Sequence, residues 1–392
     1  MAQKLPRSIW ALGIVSLLMD VSSEMIHGLM PVFLVSVLGA STLTVGVIEG
    51  IGEATANITK LVSGMISDRT GRRKPLTVLG YGLGTLSKPM FALAPTAGWV
   101  LGARFADRVG KGIRGAPRDA MVGDLAPKGM EGAAYGLRQS LDNVGAFVGP
   151  GLAMILMWAF AGDFRSVFWV AVVPGVLAVL VLILLVREPE RHTERPPKMK
   201  LDRAALVRMG APFWGVVAVG AVLTLARFSE AFVILLAEDH GLALALAPLV
   251  LVIIYAVASF ASYPAGVLSD NFGRSGLLIA GFMVLIFSDT LLALASGTGQ
   301  VMAGAAFWGL HLGLTQGVLA ALVAETAPLE YRATAFGVFN LVSGVALLIA
   351  SVLAGWLWQA LGPGATFTAG AGLSVLGLIG FSALNGKARR KV

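Results

Sequence analysis

From residue 9 to residue 384 the sequence is a succession of apolar runs, each long enough to cross a membrane as a helix and each followed by a short polar turn. A span needs about 20 predominantly apolar residues. In hydrocarbon every backbone N–H and C=O must be satisfied within the protein, and an unbroken run of this length meets that demand as a helix. The runs fall at 9–38, 43–66, 76–94, 98–125, 131–160, 165–186, 212–237, 245–268, 277–296, 299–325, 332–360 and 364–384. The expected fold is an all-α polytopic membrane protein with twelve transmembrane helices. Composition excludes the alternatives. Only 13% of the 392 residues are charged, against roughly 25% in a soluble domain, and mean hydropathy is +0.81. Neither a water-soluble globule nor a disordered chain has this make-up. The first run carries no small-residue cleavage site and is expected to serve as its own insertion signal. Cysteine is absent, so disulfides, thiolate metal sites and cysteine nucleophiles are all excluded.

The net charge is +8, and its placement decides what it means. Basic residues concentrate on the cytoplasmic side of membrane proteins. With the N-terminus inside, twenty Lys and Arg fall in cytoplasmic segments, from Lys4 and Arg7 to Arg390 and Lys391, and one, Arg165, on the opposite face. The excess is a topology signal. It predicts cytoplasmic termini in a cell inner membrane and removes nucleic acid as a partner. The longest polar stretch, Arg187 to Arg208, contains Pro189, Pro196 and Pro197. It reads as a linker, which divides the chain into an N-terminal six-helix bundle over 1–186, a cytoplasmic linker over 187–211 and a C-terminal six-helix bundle over 212–392.

An internal repeat supports that division. Gly64, Asp68, Gly71 and Arg72 recur as Gly266, Asp270, Gly273 and Arg274, 202 positions later. Ala126, Pro127, Ala134 and Gly136 recur as Ala327, Pro328, Ala335 and Gly337 at an offset of 201. Two separate stretches with nearly one offset mean a duplicated, pseudo-symmetric six-helix unit.

These residues carry a resemblance to the major facilitator superfamily of secondary transporters, in particular to bacterial efflux permeases. GMISDRTGRRKP, Gly64 to Pro75, resembles that family's motif between helices 2 and 3, and GVLSDNFGRSG is its shorter copy between helices 8 and 9. DNVGAFVGPG, Asp142 to Gly151, is similar to a helix-5 signature seen mainly in the family's exporters, and departs from it at Ala153. The helix-4 pattern is met only loosely, by Arg104, Gly110 and Gly112. The resemblance spans the chain. It implies alternating access about a central site lined chiefly by helices 1, 4, 7 and 10, and it does not name a substrate. In the loop motif, Gly64 suits close helix approach and Gly71 a tight turn. Arg72 and Arg73 suit bidentate contacts. With Asp68, Gly266, Asp270, Gly273 and Arg274 they are the expected cytoplasmic gate. Gly145, Gly149 and Pro150 are the expected helix-5 hinge, because Pro150 removes a helical hydrogen bond.

The charges inside the spans matter most. Apart from Glu131, Arg165, Glu325 and Arg332 at span ends, the spans hold ten acids and nine bases. Each costs about 2.5–3.5 kcal/mol at the centre of a lipid-facing helix, so they must face a polar interior or one another. All but Arg227, Glu230 and Asp289 lie in the first half. Asp20, Glu24 and His27 share a face of helix 1, and Glu49, Glu53, Asn57 and Lys60 a face of helix 2. Lys60 is a candidate partner for Glu53. Helix 4 carries a basic stripe of Arg104, Arg108, Lys111, Arg114 and Arg118, with Asp107 among them. Helix 5 adds Arg138 and Asp142, helix 7 Arg227 and Glu230, and helix 10 His311.

Three readings of these residues compete with a static salt-bridge network. A carboxylate at Asp20, Glu24, Glu49 or Glu53 exchanges a proton, with the helix 1 pair preferred because its span holds no Lys or Arg. Alternatively the acids with His27 bind a divalent cation, or the basic stripe conducts an organic anion. The main expectation is a monomeric secondary transporter moving a small solute or ion, with proton-coupled export. Metal-ion, metal-chelate or organic-anion transport and a non-transporting receptor are the alternatives. No cofactor is expected and no enzyme motif is present. Gly110, Gly112 and Gly115 spell a dinucleotide-binding pattern, but no strand precedes them.

Overall fold

The computed structural model describes residues 5–127, 130–188, 208–272, 274–328 and 332–389. Gly273 and the side chains at Asp68, Gly266 and Asp270 lie outside the described residues, as does most of the expected linker. The described residues form twelve helices and no strand. These are α1 (Arg7–Val37), α2 (Thr42–Thr70), α3 (Arg73–Ala92), α4 (Ala97–Leu125), α5 (Glu131–Ala159) and α6 (Phe164–Leu185). They continue with α7 (Gly210–Asp239), α8 (Leu249–Phe272), α9 (Arg274–Ala293), α10 (Thr298–Thr326), α11 (Arg332–Leu361) and α12 (Pro363–Arg389). Nine of them are long and apolar enough to cross a membrane among the described residues. The three that are not, α2, α3 and α4, carry most of the buried charge.

Two helices are interrupted. α1 leaves regular geometry at Gly28 and Leu29 and ends in a π-helical turn, Phe33–Val37. Pro31 has no N–H to offer the His27 carbonyl four residues back. α7 stops at Ala226 and resumes at Ala231, which leaves carbonyl groups of its first segment without helical partners.

The chain divides into two compact units. The first holds residues 1–40, 51–193 and 243–252, and the second residues 41–50, 194–242 and 253–392. In the first unit α1 packs against α5 and α6, and α3 against α4 and α6. In the second, α7 packs against α11 and α12, and α9 against α10 and α12. The sequence repeat is therefore also a repeat of helix pairing.

The turn into α6 shows how local chemistry fixes an element end. Asp163 caps the helix by accepting from the N–H groups of Arg165 (3.0 Å) and Ser166 (3.3 Å), and its carboxylate also accepts from the Ser166 hydroxyl. Arg165 donates to the carbonyls of Ala92 (2.8 Å) and Ala94 (2.7 Å), which tie off the end of α3. The Ser166 hydroxyl and these backbone donors hold the Asp163 carboxyl below the usual carboxylate range. A depressed acid stabilises the fold above its unfolded titration and loses that contribution as pH falls through the folded one. Asp163→Ala is expected to cost about 1 kcal/mol at neutral pH and progressively less on acidification. Unfolding midpoints in detergent across pH check this, and a deficit independent of pH would contradict it.

Candidate functional site

Glycines set the spacing of the charged core in the first unit. α4 passes α3 so closely that a Cβ on Gly110 would lie 2.7 Å from the Gly80 carbonyl oxygen and from the Gly84 nitrogen. On the side facing α2, a Cβ on Gly112 would lie 2.8 Å from the Ala56 oxygen, and the Ser63 hydroxyl donates to the Gly112 carbonyl at 2.8 Å. The residues that spell a dinucleotide pattern are thus helix-crossing points. Gly52 on α2 leaves room for the stems of Arg104 and Arg108, whose Cγ atoms lie 3.2 and 3.3 Å from where its Cβ would be. Backbones this close let arginines of α4 reach across α2 while staying buried.

Two layers of ion pairs result. In one, Arg108 Nη1 meets Glu53 Oε1 at 2.9 Å, with Arg104 Nη2 at 4.0 Å from the same oxygen. Arg108 Nε also lies 3.6 Å from Asp107 Oδ2. Asp107 in turn accepts from Lys88 of α3 at 2.7 Å, and Lys88 donates to Ser23 of α1 at 2.9 Å. Lys88 and Asp107 are 1% and 3% exposed, so this pair is fully desolvated. In the other layer Arg138 bonds Asp142 at 2.7 Å and lies 3.4 Å from Asp119. Arg118 contacts Asp119 at 3.1 Å and donates to Ser16 at 2.9 Å. Lys60 pairs with Asp119 at 3.8 Å; it is not the partner of Glu53, because the arginines of α4 occupy that carboxylate. The arginines at 104, 108 and 118 in the basic stripe are therefore largely matched by acids. Arg114 stacks over the Tyr81 ring at 4.9 Å.

α1 joins this network through Ser16 and Ser23 and also packs closely against α5. A Cβ on Gly145 would fall 2.9 Å from the Asp20 Cβ, and one on Gly149 would fall 2.8 Å from the Glu24 Cβ. The helix-5 signature thus lies against the two helix 1 acids, and Pro150 sits within an unbroken α5. Glu24 Oε2 contacts His27 Nδ1 at 3.3 Å. Asp20 has no ion-pair or hydrogen-bond partner among the described residues, unlike the acids of the two layers. Glu49 is buried in the segment of α2 that belongs to the second unit. Among the described residues no three His, Asp or Glu side chains converge as a metal site, and His27 turns to Glu24.

Between α2 and α3, Gly71 adopts a left-handed conformation (φ +61°) and Gly64 abuts Ala116, 3.2 Å from where its Cβ would be. Arg73 pairs with Asp124 at 2.6 Å, and the N–H groups of Arg73 and Lys74 donate to Glu188 at 2.7 and 3.0 Å. The side chain of Arg72 is exposed. In the second unit Arg274 pairs with Glu325. Arg73 and Arg274, like Asp124 and Glu325, are 201 positions apart, so the two halves repeat an ion pair as well as a motif. Arg227 and Glu230 flank the interruption of α7. His311 is held by the Gly281 carbonyl at 2.9 Å, a contact between α10 and α9.

The Major Facilitator Superfamily model matches residues 12–234 and again 217–391. The chain belongs to that superfamily. An uncharacterized MFS-type transporter of Methanocaldococcus jannaschii is 31% identical over 385 residues, covering 95% of this chain and 94% of that protein. A multidrug resistance protein of Photorhabdus laumondii is 30% identical over 183 residues, 46% of this chain and 44% of its own. A solved POT-family transporter in complex with a thioalcohol-conjugated peptide has the same fold, with a TM-score of 0.80 at 13% identity, covering 98% of both chains.

This superfamily member is therefore a multi-pass membrane transporter and not an enzyme. Its buried network includes Lys88, Ser16, Ser23 and Tyr81, none of which was among the expected site residues. Lys88 was legible as a base within a span. The hydroxyls carry no periodic or charge signal, and only the helix crossings bring them to the arginines and Lys88.

Proposed function

We propose that this protein is a secondary active transporter of the inner membrane, with both termini cytoplasmic, that exports a small solute by alternating access as protons enter in exchange. The observation that carries the reading is Asp20, an acid without a partner beside a network of paired charges. A carboxyl that is in no ion pair can take up and release a proton without breaking one, whereas Glu53, Asp107 and Asp142 cannot. The contact of Gly145 and Gly149 with α1 supports it, because movement of α5 would be felt first at Asp20 and Glu24. The repeated pairs Arg73–Asp124 and Arg274–Glu325 suit a gate that locks in one state and releases in another. The name of the Photorhabdus laumondii relative points toward export.

A second reading is organic-anion transport, which Lys111 supports: it is exposed within α4 and has no ion pair among the described residues. Purified protein in liposomes with an imposed pH gradient, screened against cationic drugs, organic anions and divalent metals, tests both. Proton flux evoked by a cationic drug is expected, flux evoked only by anions would favour the second reading, and no evoked flux with any class would refute proton coupling.

A further inference from the structure

The second unit buries Asp289, an acid that the network in the first unit does not involve. Asp289 of α9 is 0% exposed, and neither carboxylate oxygen has a hydrogen-bond partner among the described residues. α12 approaches it at Gly370. A Cβ there would lie 2.7 Å from Asp289 Oδ2, 3.0 Å from the Ala226 carbonyl oxygen and 3.1 Å from the edge of the Phe228 ring. Glycine thus keeps a space open between the carboxyl and the place where α7 breaks.

That break makes the space chemically particular. Ala226 ends the first segment of α7, and the last carbonyls of a helix carry the negative end of its dipole. A carboxyl beside such an end meets carbonyl oxygen where a donor or cation is needed. The charged groups on the surrounding helices do not supply one. α7 offers Arg227 and Glu230 at the break, and α10 offers His311, held to Gly281. α12 has no charged residue from Pro363 to Ser382. Among the described residues none of these forms an ion pair or hydrogen bond with Asp289. Trp308 of α10, packed against Phe228 at 5.4 Å, is also fully buried with its indole N–H unpaired.

We propose that Asp289 and the carbonyl end of the first α7 segment form a second site, for a monovalent cation, either a proton or Na⁺. Both oxygens are hard donors suited to either ion, and intramembrane acids mark ion sites by default. Occupancy would tie α9 to the break in α7, where the helical hydrogen bonds are already interrupted. The site stands apart from Asp20 and does not depend on proton coupling there.

Infrared difference spectra of the full-length protein in liposomes, stepped in pH with choline or with Na⁺ as the salt, test this directly. The wild type is expected to show a protonated-carboxyl band that is missing in Asp289→Asn. Insensitivity of that band to Na⁺ identifies the proton as the ion, and its suppression by Na⁺ identifies sodium. If the Asn variant does not elute as a single species, Asp289→Glu replaces it, and the band should then move instead of vanishing. Spectra of the variants identical to wild type in both salts would overturn the proposal.

Discussion

Replacing Asp107 with leucine will destabilise the protein by about 3–5 kcal/mol, the cost of leaving one member of a buried pair without its partner. Asp107 holds Lys88 at 2.7 Å and also faces Arg108 at 3.6 Å. Removing it strands an ammonium group whose remaining hydrogen bond among the described residues is to Ser23. Lys88→Met should cost less, because Asp107 keeps Arg108 and accepts from Ser87 at 3.4 Å. The double variant Asp107→Leu/Lys88→Met should recover most of the loss, since apolar replacement of a whole buried pair is often neutral. Unfolding midpoints of the three variants in one detergent decide it. A double variant less stable than Asp107→Leu would mean that the pair is not the unit of stabilisation.

Asp20→Asn is expected to act in the opposite way, leaving the fold nearly as stable as wild type while reducing uphill transport to the level of protein-free liposomes. No cation is orphaned by the change, because none lies within ion-pair distance of Asp20 among the described residues. Glu53→Gln should lower both, as it removes the negative charge that Arg108 and Arg104 share. The contrast between these two acids separates a group that holds the network from a group that moves a proton.

The fold was legible because its signals are redundant. Twelve apolar runs, one repeat offset and one-sided basic loops each predict the same architecture, and the helix pairing in the two units repeats as the offset requires. The loop motif was legible too, since Gly71 needs its left-handed backbone. The site was legible only as a set of residues. Helical periodicity places Asp20, Glu24 and His27 on one face, yet it does not say which helix lies against that face. Lys60 is two turns from Glu53 along α2, but the Gly52 gap admits Arg108 instead. Likewise His27 and the acids share a face in sequence, while in space His27 meets Glu24 and α4 arginines take Glu53. Partners across helices depend on where glycines allow close approach, and a single sequence does not give those crossings.

The central claim is that Asp20 carries the coupling proton. Wild-type protein and Asp20→Asn, reconstituted at equal density, should be compared for movement of the same solute with and without an imposed pH gradient. The claim predicts that the gradient drives accumulation in the wild type only, while downhill movement survives in both. Gradient-driven accumulation by Asp20→Asn with unchanged pH dependence would contradict it.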